Sequence, residues 1–201
     1  MRLALTSLTI TSLLLTACGQ TTKLTTTWGT PAGGAAQVHH VLAVFASKDP
    51  LVRHTIEDRI VRQIPNSAPS YEFIESATNI DRDSLRRTML QKGFDGVLVM
   101  RVADIDRQLT YVPGATTWPG DFYGYWGNAW TYPYDPAYFY GDGTYGDYVI
   151  IIETALYSVN SDKLLWAGRS RTTDPSSIRK VADQVSKHAV AVMREQRLLP
   201  P

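Results

Sequence analysis

The sequence predicts an α/β class: a single domain on one mixed β-sheet, in the order β-α-β-α-β-β-β-α, packed by three helices. Three observations point there. The unbroken apolar run Val41-Leu42-Ala43-Val44-Phe45 suits a strand covered on both faces. Directly after it, Val52, Ile56, Ile60 and Ile64 recur at four-residue spacing, the stripe of an amphipathic helix. From residue 96 onward come three β-type segments, with no helical pattern until about residue 174.

The first strand is read over residues 38–46. Asp49-Pro50 then supplies a capping acid and a proline suited to the first helical turn, and the helix must stop before Pro65. Residues 70–74 read as a short strand. Asp81 or Asp83 can cap a second helix carrying Leu85, Met89 and Leu90, with Gly93 as its left-handed stop. Residues 96–102 and 148–159 are strands rich in Val, Ile and Leu or Tyr. Asn160-Ser161-Asp162 turns the chain into a further strand over residues 164–172. Strict alternation there would set Leu164, Trp166, Gly168 and Ser170 on one face and leave Arg169 and Arg171 solvated on the other. Asp174-Pro175 opens the last helix, with Ile178, Val181, Val185, Ala189 and Val192 along one side. The first half suits right-handed crossovers between parallel strands, the second an antiparallel meander.

Ahead of this domain lies a leader. Met1-Arg2 is followed by an apolar stretch to Leu15 and then by Thr16-Ala17-Cys18, which has the shape of a secretory signal peptide over residues 1–17. The stretch is too short for a comfortable membrane span, which needs ~18–20 apolar residues. Leu15-Thr16-Ala17-Cys18 resembles the lipobox of bacterial lipoproteins. That resemblance implies a diacylglycerol thioether on Cys18 (the only cysteine), cleavage before it and acylation of its amine. The alternative is an ordinary secreted protein with a stray cysteine at its cleavage point. By analogy with enteric sorting, Gly19 rather than Asp after the cysteine points to the outer membrane. Residues 18–36 are poor in aliphatic side chains and are expected to be the lipidated end plus a flexible tether, with the periplasmic domain over 37–201.

Charge narrows the partners. The leader carries one Arg and no acid, so the mature chain balances 19 basic against 19 acidic side chains. A neutral chain is a poor match for nucleic acid, which demands a basic patch.

An insertion over residues 113–147 separates two central strands. Its stretch 113–145 holds seven Tyr, three Trp and two Phe, but no Lys or Arg. Tyr and Trp join large apolar area to a polar tip and dominate contact hot spots. The candidate contact residues are Trp118, Phe122, Tyr123, Tyr125, Trp126, Trp130, Tyr132, Tyr134, Tyr138, Phe139 and Tyr140. A protein partner, the membrane headgroup layer or a glycan would each suit them; the alternative is a tolerated loop. A pore-forming hairpin is disfavoured, because residues 122–127 do not alternate as a spanning strand must. If the loop is separable, a two-residue Asn-Gly turn in place of residues 114–146 should close the hairpin without disturbing the core.

Motifs for catalysis are missing from the sequence: there is no phosphate loop, dinucleotide fingerprint, nucleophile elbow or HExxH zinc pattern. His39 and His40 are adjacent, so on a strand they would point to opposite faces and could not share a metal. Residues 141–147 hint at a calcium loop but lack the repeated acids and closing Glu of an EF-hand.

The phrases VHHVLAVFASKDP, KGFDGVLVMRVADID and LYSVNSDKLLWAGRSRTTDP, with the last helix, resemble bacterial envelope lipoproteins of unknown function. More distantly they are similar to the domain shared by the curli-secretion channel subunit, lipoprotein activators of penicillin-binding proteins and the N-terminal part of the Tol–Pal propeller protein. The resemblance covers about residues 38–112 and 147–198 and brings no catalytic motif. It implies a non-enzymatic outer-membrane lipoprotein facing the periplasm, a binding or assembly module for another envelope component. A cell-wall synthase activator or secretion-assembly subunit is the alternative of that class, and a cryptic envelope hydrolase the alternative of another. The expected partners are the membrane, through the anchor, and an envelope protein. No cofactor, metal, nucleic acid or small-molecule substrate is expected.

Overall fold

The computed structural model describes residues 21–29, 37–74, 81–106, 120–123, 149–173, 175 and 177–201. These form six strands in the spatial order β1-β6-β5-β4-β2-β3. The strands are β1 (Thr21–Gly29), β2 (Val41–Phe45), β3 (Ser67–Pro69), β4 (Gly96–Asp106), β5 (Val149–Ser158) and β6 (Lys163–Thr173). The helices are α1 (Pro50–Val61), α2 (Arg82–Gln91) and α3 (Ile178–Glu195). The sheet is mixed as expected. β2 lies parallel to both β3 and β4, while β4, β5 and β6 form the antiparallel meander and β1 joins β6 antiparallel.

β3 and β4 flank β2 on opposite sides, so the two crossovers run in opposite directions. Crossovers of one hand must then use opposite faces of the sheet. They do: Val52, Ile56 and Ile60 of α1 pack on one face together with Val181, Val185 and Ala189 of α3. Leu85 and Met89 of α2 pack on the other with Val97, Val99 and Tyr157. β2 supplies both layers, and every one of its residues is buried.

The caps of α1 and α2 follow the sequence, whereas α3 begins at Ile178 instead of at Asp174-Pro175, capped by Ser177, whose Oγ accepts the Lys180 N–H at 3.3 Å. Asp49 accepts the N–H groups of Leu51 at 2.8 Å and Val52 at 3.2 Å, and Asp81 those of Asp83 and Ser84 at 2.9 and 3.1 Å. Each such cap contributes ~1 kcal/mol. Gly93 ends α2 at φ +75°, where a Cβ would be strained.

Three further expectations need correction. Residues 21–29 lie within the expected tether but form β1, paired along its length with β6 from Thr21↔Thr173 to Gly29↔Trp166. Low aliphatic content misled, because Thr is β-branched and favours strands. Without β1, an 11-residue strand would be left as the sheet edge, its polar backbone unpaired.

The strand expected at residues 70–74 is displaced to Ser67–Pro69 and followed by a 3-10 turn, Ser70–Glu72. The buried Glu57 carboxylate draws the chain out of the sheet there by accepting the Tyr71 N–H at 3.0 Å and the Ser70 hydroxyl at 2.7 Å.

Strict alternation in β6 also fails. A register shift between Leu156 and Tyr157 makes Leu165 an extra residue, so Leu165 and Trp166 both serve the α1–α3 layer. Leu164 and Ala167 serve the α2 layer. Trp166 is fully buried and lies against Gly168, where a Cβ would come within 2.4 Å of its ring.

Candidate functional site

The twelve residues singled out from the sequence divide in the structure. Cys18, Trp118, Tyr125, Trp126, Trp130, Tyr132, Tyr134, Tyr138, Phe139 and Tyr140 lie outside the described residues. Phe122 and Tyr123 are described, at 0% and 5% exposure. They belong to the core and take no part in an exposed aromatic surface.

Their burial is built from the β5–β6 turn. Asp162 stands at its tip in the left-handed region, φ 53°. Its Oδ1 accepts the backbone N–H groups of Phe122 at 3.1 Å and Tyr123 at 3.3 Å. Its Oδ2 accepts Arg82 Nη2 at 2.7 Å, and the same guanidinium reaches Asp121 at 3.6 Å. Leu164 donates its N–H to the Gly120 carbonyl at 3.1 Å. The Phe122 ring meets Tyr123 edge-on at 5.2 Å and Tyr157 at 5.5 Å. The Tyr123 phenol is pushed up to about 12, by burial first and then by the Asp162 charge. One point of the insertion is thereby pinned to the far end of a hairpin. Asn160-Ser161-Asp162 was legible as a turn, but its Asp162 gives no local sign of gripping a chain forty residues away.

Two buried ionic clusters were not anticipated. Arg101, Glu153 and Arg169 stand directly opposite one another in one row across β4, β5 and β6. Glu153, with its side chain 1% exposed, pairs with Arg101 at 2.5 Å and Arg169 at 2.6 Å. Arg169, expected to be solvated, is thus held beneath the surface. The signal available was a lone Glu inside the Ile/Val-rich β5.

Glu57 is the second buried acid. It also accepts the Phe45 N–H at 3.0 Å and Arg53 Nε at 3.1 Å. Arg53 continues to Ser70 Oγ at 2.7 Å and the Ile74 carbonyl at 3.0 Å. Burial pushes the Glu57 carboxyl up, against the opposing pull of Arg53 and its hydrogen bonds. Its neighbours are structural donors from β2, α1 and the 3-10 turn, so the cluster clamps those elements together.

The histidines stay apart. His39 is exposed beside Asp95 at 3.5 Å, whereas His40 stacks on Phe94 at 4.3 Å and His54 on Tyr71 at 4.0 Å. Among the described residues no group of three or more His, Cys, Asp or Glu could hold a metal ion. A hollow of ≈ 170 Å³ opens between the first turns of α1 and α3, lined by Leu51, Val52, Thr55, Ile56, Ser177, Ile178 and Arg179. Leu51 at its rim is 64% exposed. Among the described residues, no helix is long and apolar enough to cross a membrane.

No family model matches the chain, and no curated protein does. Among solved structures it is similar to the PelC dodecamer from Paraburkholderia phytofirmans, at 12% identity and a TM-score of 0.44, over 91% of this chain and 100% of that one. A PelC variant dodecamer from the same organism gives 13% identity and 0.43, over 90% and 99%. At this identity and overlap, what PelC assembles into says nothing about this chain.

Proposed function

We propose that this chain is a non-enzymatic lipoprotein of the bacterial outer membrane, anchored through Cys18, whose periplasmic α/β domain binds or helps assemble another envelope component. The observation that carries the reading is Leu15-Thr16-Ala17-Cys18 behind a short apolar leader with one positive charge. Two or more acyl chains, at ~0.8 kcal/mol per buried CH₂, would hold the protein stably without any further membrane device. Aromatic content supports the binding role. Twelve of the chain's 21 aromatic side chains fall within residues 113–145, and of the eleven candidates among them Phe122 and Tyr123 are buried in the core. The expected contact set is therefore Trp118, Tyr125, Trp126, Trp130, Tyr132, Tyr134, Tyr138, Phe139 and Tyr140.

Labelling with a radioactive fatty acid tests the anchor. Incorporation should be lost in Cys18→Ser, and the mature form should leave the membrane fraction; label that persists would sink the assignment. Crosslinking in intact cells tests the binding role. Trp126→Ala together with Trp130→Ala should remove a specific protein adduct, and an unchanged adduct pattern would refute a role for those aromatics.

A further inference from the structure

β1 leaves almost no chain between anchor and sheet. Thr21 is the first residue of β1, so only Gly19 and Gln20 separate it from Cys18. At full extension those three steps reach at most ~11 Å. Thr21 stands opposite Thr173, Thr173 opposite Val149, and Val149 opposite Asp106. Four strands therefore end in one row, about 14 Å across at ordinary strand spacing.

The same end carries an exposed apolar side chain. β2 and β6 both run toward this row, so α1 and α3, which follow them, begin on its side. Their first turns frame the hollow beneath Leu51, which is 64% exposed. The opposite end of the sheet holds Asn160, Ser161 and Asp162, roughly 35 Å away along the 11 residues of β6.

We infer that the domain stands on the bilayer that holds the Cys18 acyl chains, with the end of the sheet where β1 starts beside Thr173, together with Leu51, on the side of the lipid headgroups and the β5–β6 turn pointing away. This rests on lipidation of Cys18. Given that bond, a linker of two residues cannot let the domain tumble freely. It also places both stems of the aromatic insertion, Asp106 and Val149, at the membrane side.

The test uses the full chain, purified with its acyl chains and reconstituted in phosphatidylethanolamine/phosphatidylglycerol vesicles. With Cys18 blocked by its thioether, Leu51→Cys, Thr173→Cys and Ser161→Cys each offer one site for a fluorophore. A quencher carried on the lipid headgroups should strongly reduce emission at residues 51 and 173 and leave residue 161 at background. A flexible Gly/Ser insert of about 15 residues after Gly19, adding roughly 20 Å of reach, should abolish that difference while the N-terminal peptide keeps its acyl mass. Equal quenching at all three sites, with acylation intact, overturns the orientation alone. Shielding of residues 51 and 173 that rises with protein concentration in detergent, without lipid, would assign this end to a second copy and also overturn it. An unacylated N-terminal peptide would overturn the lipoprotein reading, and the orientation with it.

Discussion

Asp162 accepts the backbone N–H of Phe122 at 3.1 Å, tying the β5–β6 turn to a segment forty residues earlier in the chain. Asp162→Ala removes the acceptor for two part-buried N–H groups and places Ala at φ 53°, where a Cβ is disfavoured. The expected loss is ~2 kcal/mol. Asp162→Asn keeps the acceptor and tolerates the left-handed backbone, so it should lose less than ~1 kcal/mol, the exposed Arg82 pair contributing little. Urea unfolding of the three proteins checks the order; equal loss in both variants would show that charge, not the hydrogen bonds, holds the turn.

Replacing residues 114–146 by an Asn-Gly turn now carries a different expectation from the one the sequence suggests. The replacement deletes Phe122, which is fully buried against Tyr157, together with Tyr123. Emptying a site of that size costs about 3–5 kcal/mol. The shortened protein should unfold at clearly lower urea than the parent, despite a slightly favourable change in loop-closure entropy. A parental midpoint would mean the core closes over the gap.

Glu153→Ala takes the shared carboxylate from between Arg101 and Arg169, both held with side chains 13–14% exposed. Breaking a buried ionic cluster from one side costs about 3–5 kcal/mol, whereas replacing all its members by apolar side chains is often neutral. The combination Arg101→Met, Glu153→Leu, Arg169→Met should therefore be more stable than Glu153→Ala alone. Thermal melts of the two proteins decide it, and the reverse order would refute the argument.

Tyr123 gives a pH dependence of known sign. Its phenol titrates near 10 when unfolded and about 12 when folded, so between those values the folded state holds the extra proton. This contribution is fully present below pH ~10 and is lost as pH rises through about 12. Tyr123→Phe should flatten the fall in stability across that window and remove one late-titrating tyrosinate from the alkaline absorbance titration. An unchanged titration would show that Tyr123 ionises like an exposed tyrosine.

What the sequence determined by itself is local. The apolar run of β2, the four-residue stripe of α1, the Asp49 and Asp81 caps and the Gly93 stop are each set by neighbours within a few residues, where side-chain period and backbone preference decide. The meander was legible for the same reason, since β5 and β6 are joined by a short turn. Tertiary structure decided the rest through partners distant in sequence. β1 is a strand because β6 needs a neighbour, a demand that residues 21–29 do not carry in their own composition. The turn at Ser70 exists because Glu57 is buried beside it, and one extra residue at Leu165 exchanged the layers that Leu164 and Leu165 enter relative to the rest of β6. Phe122 and Tyr123 share the composition of the other insertion aromatics. Only the position of Asp162 and the space beside Tyr157 made these two part of the core, because burial is set by what surrounds a side chain and not by its type.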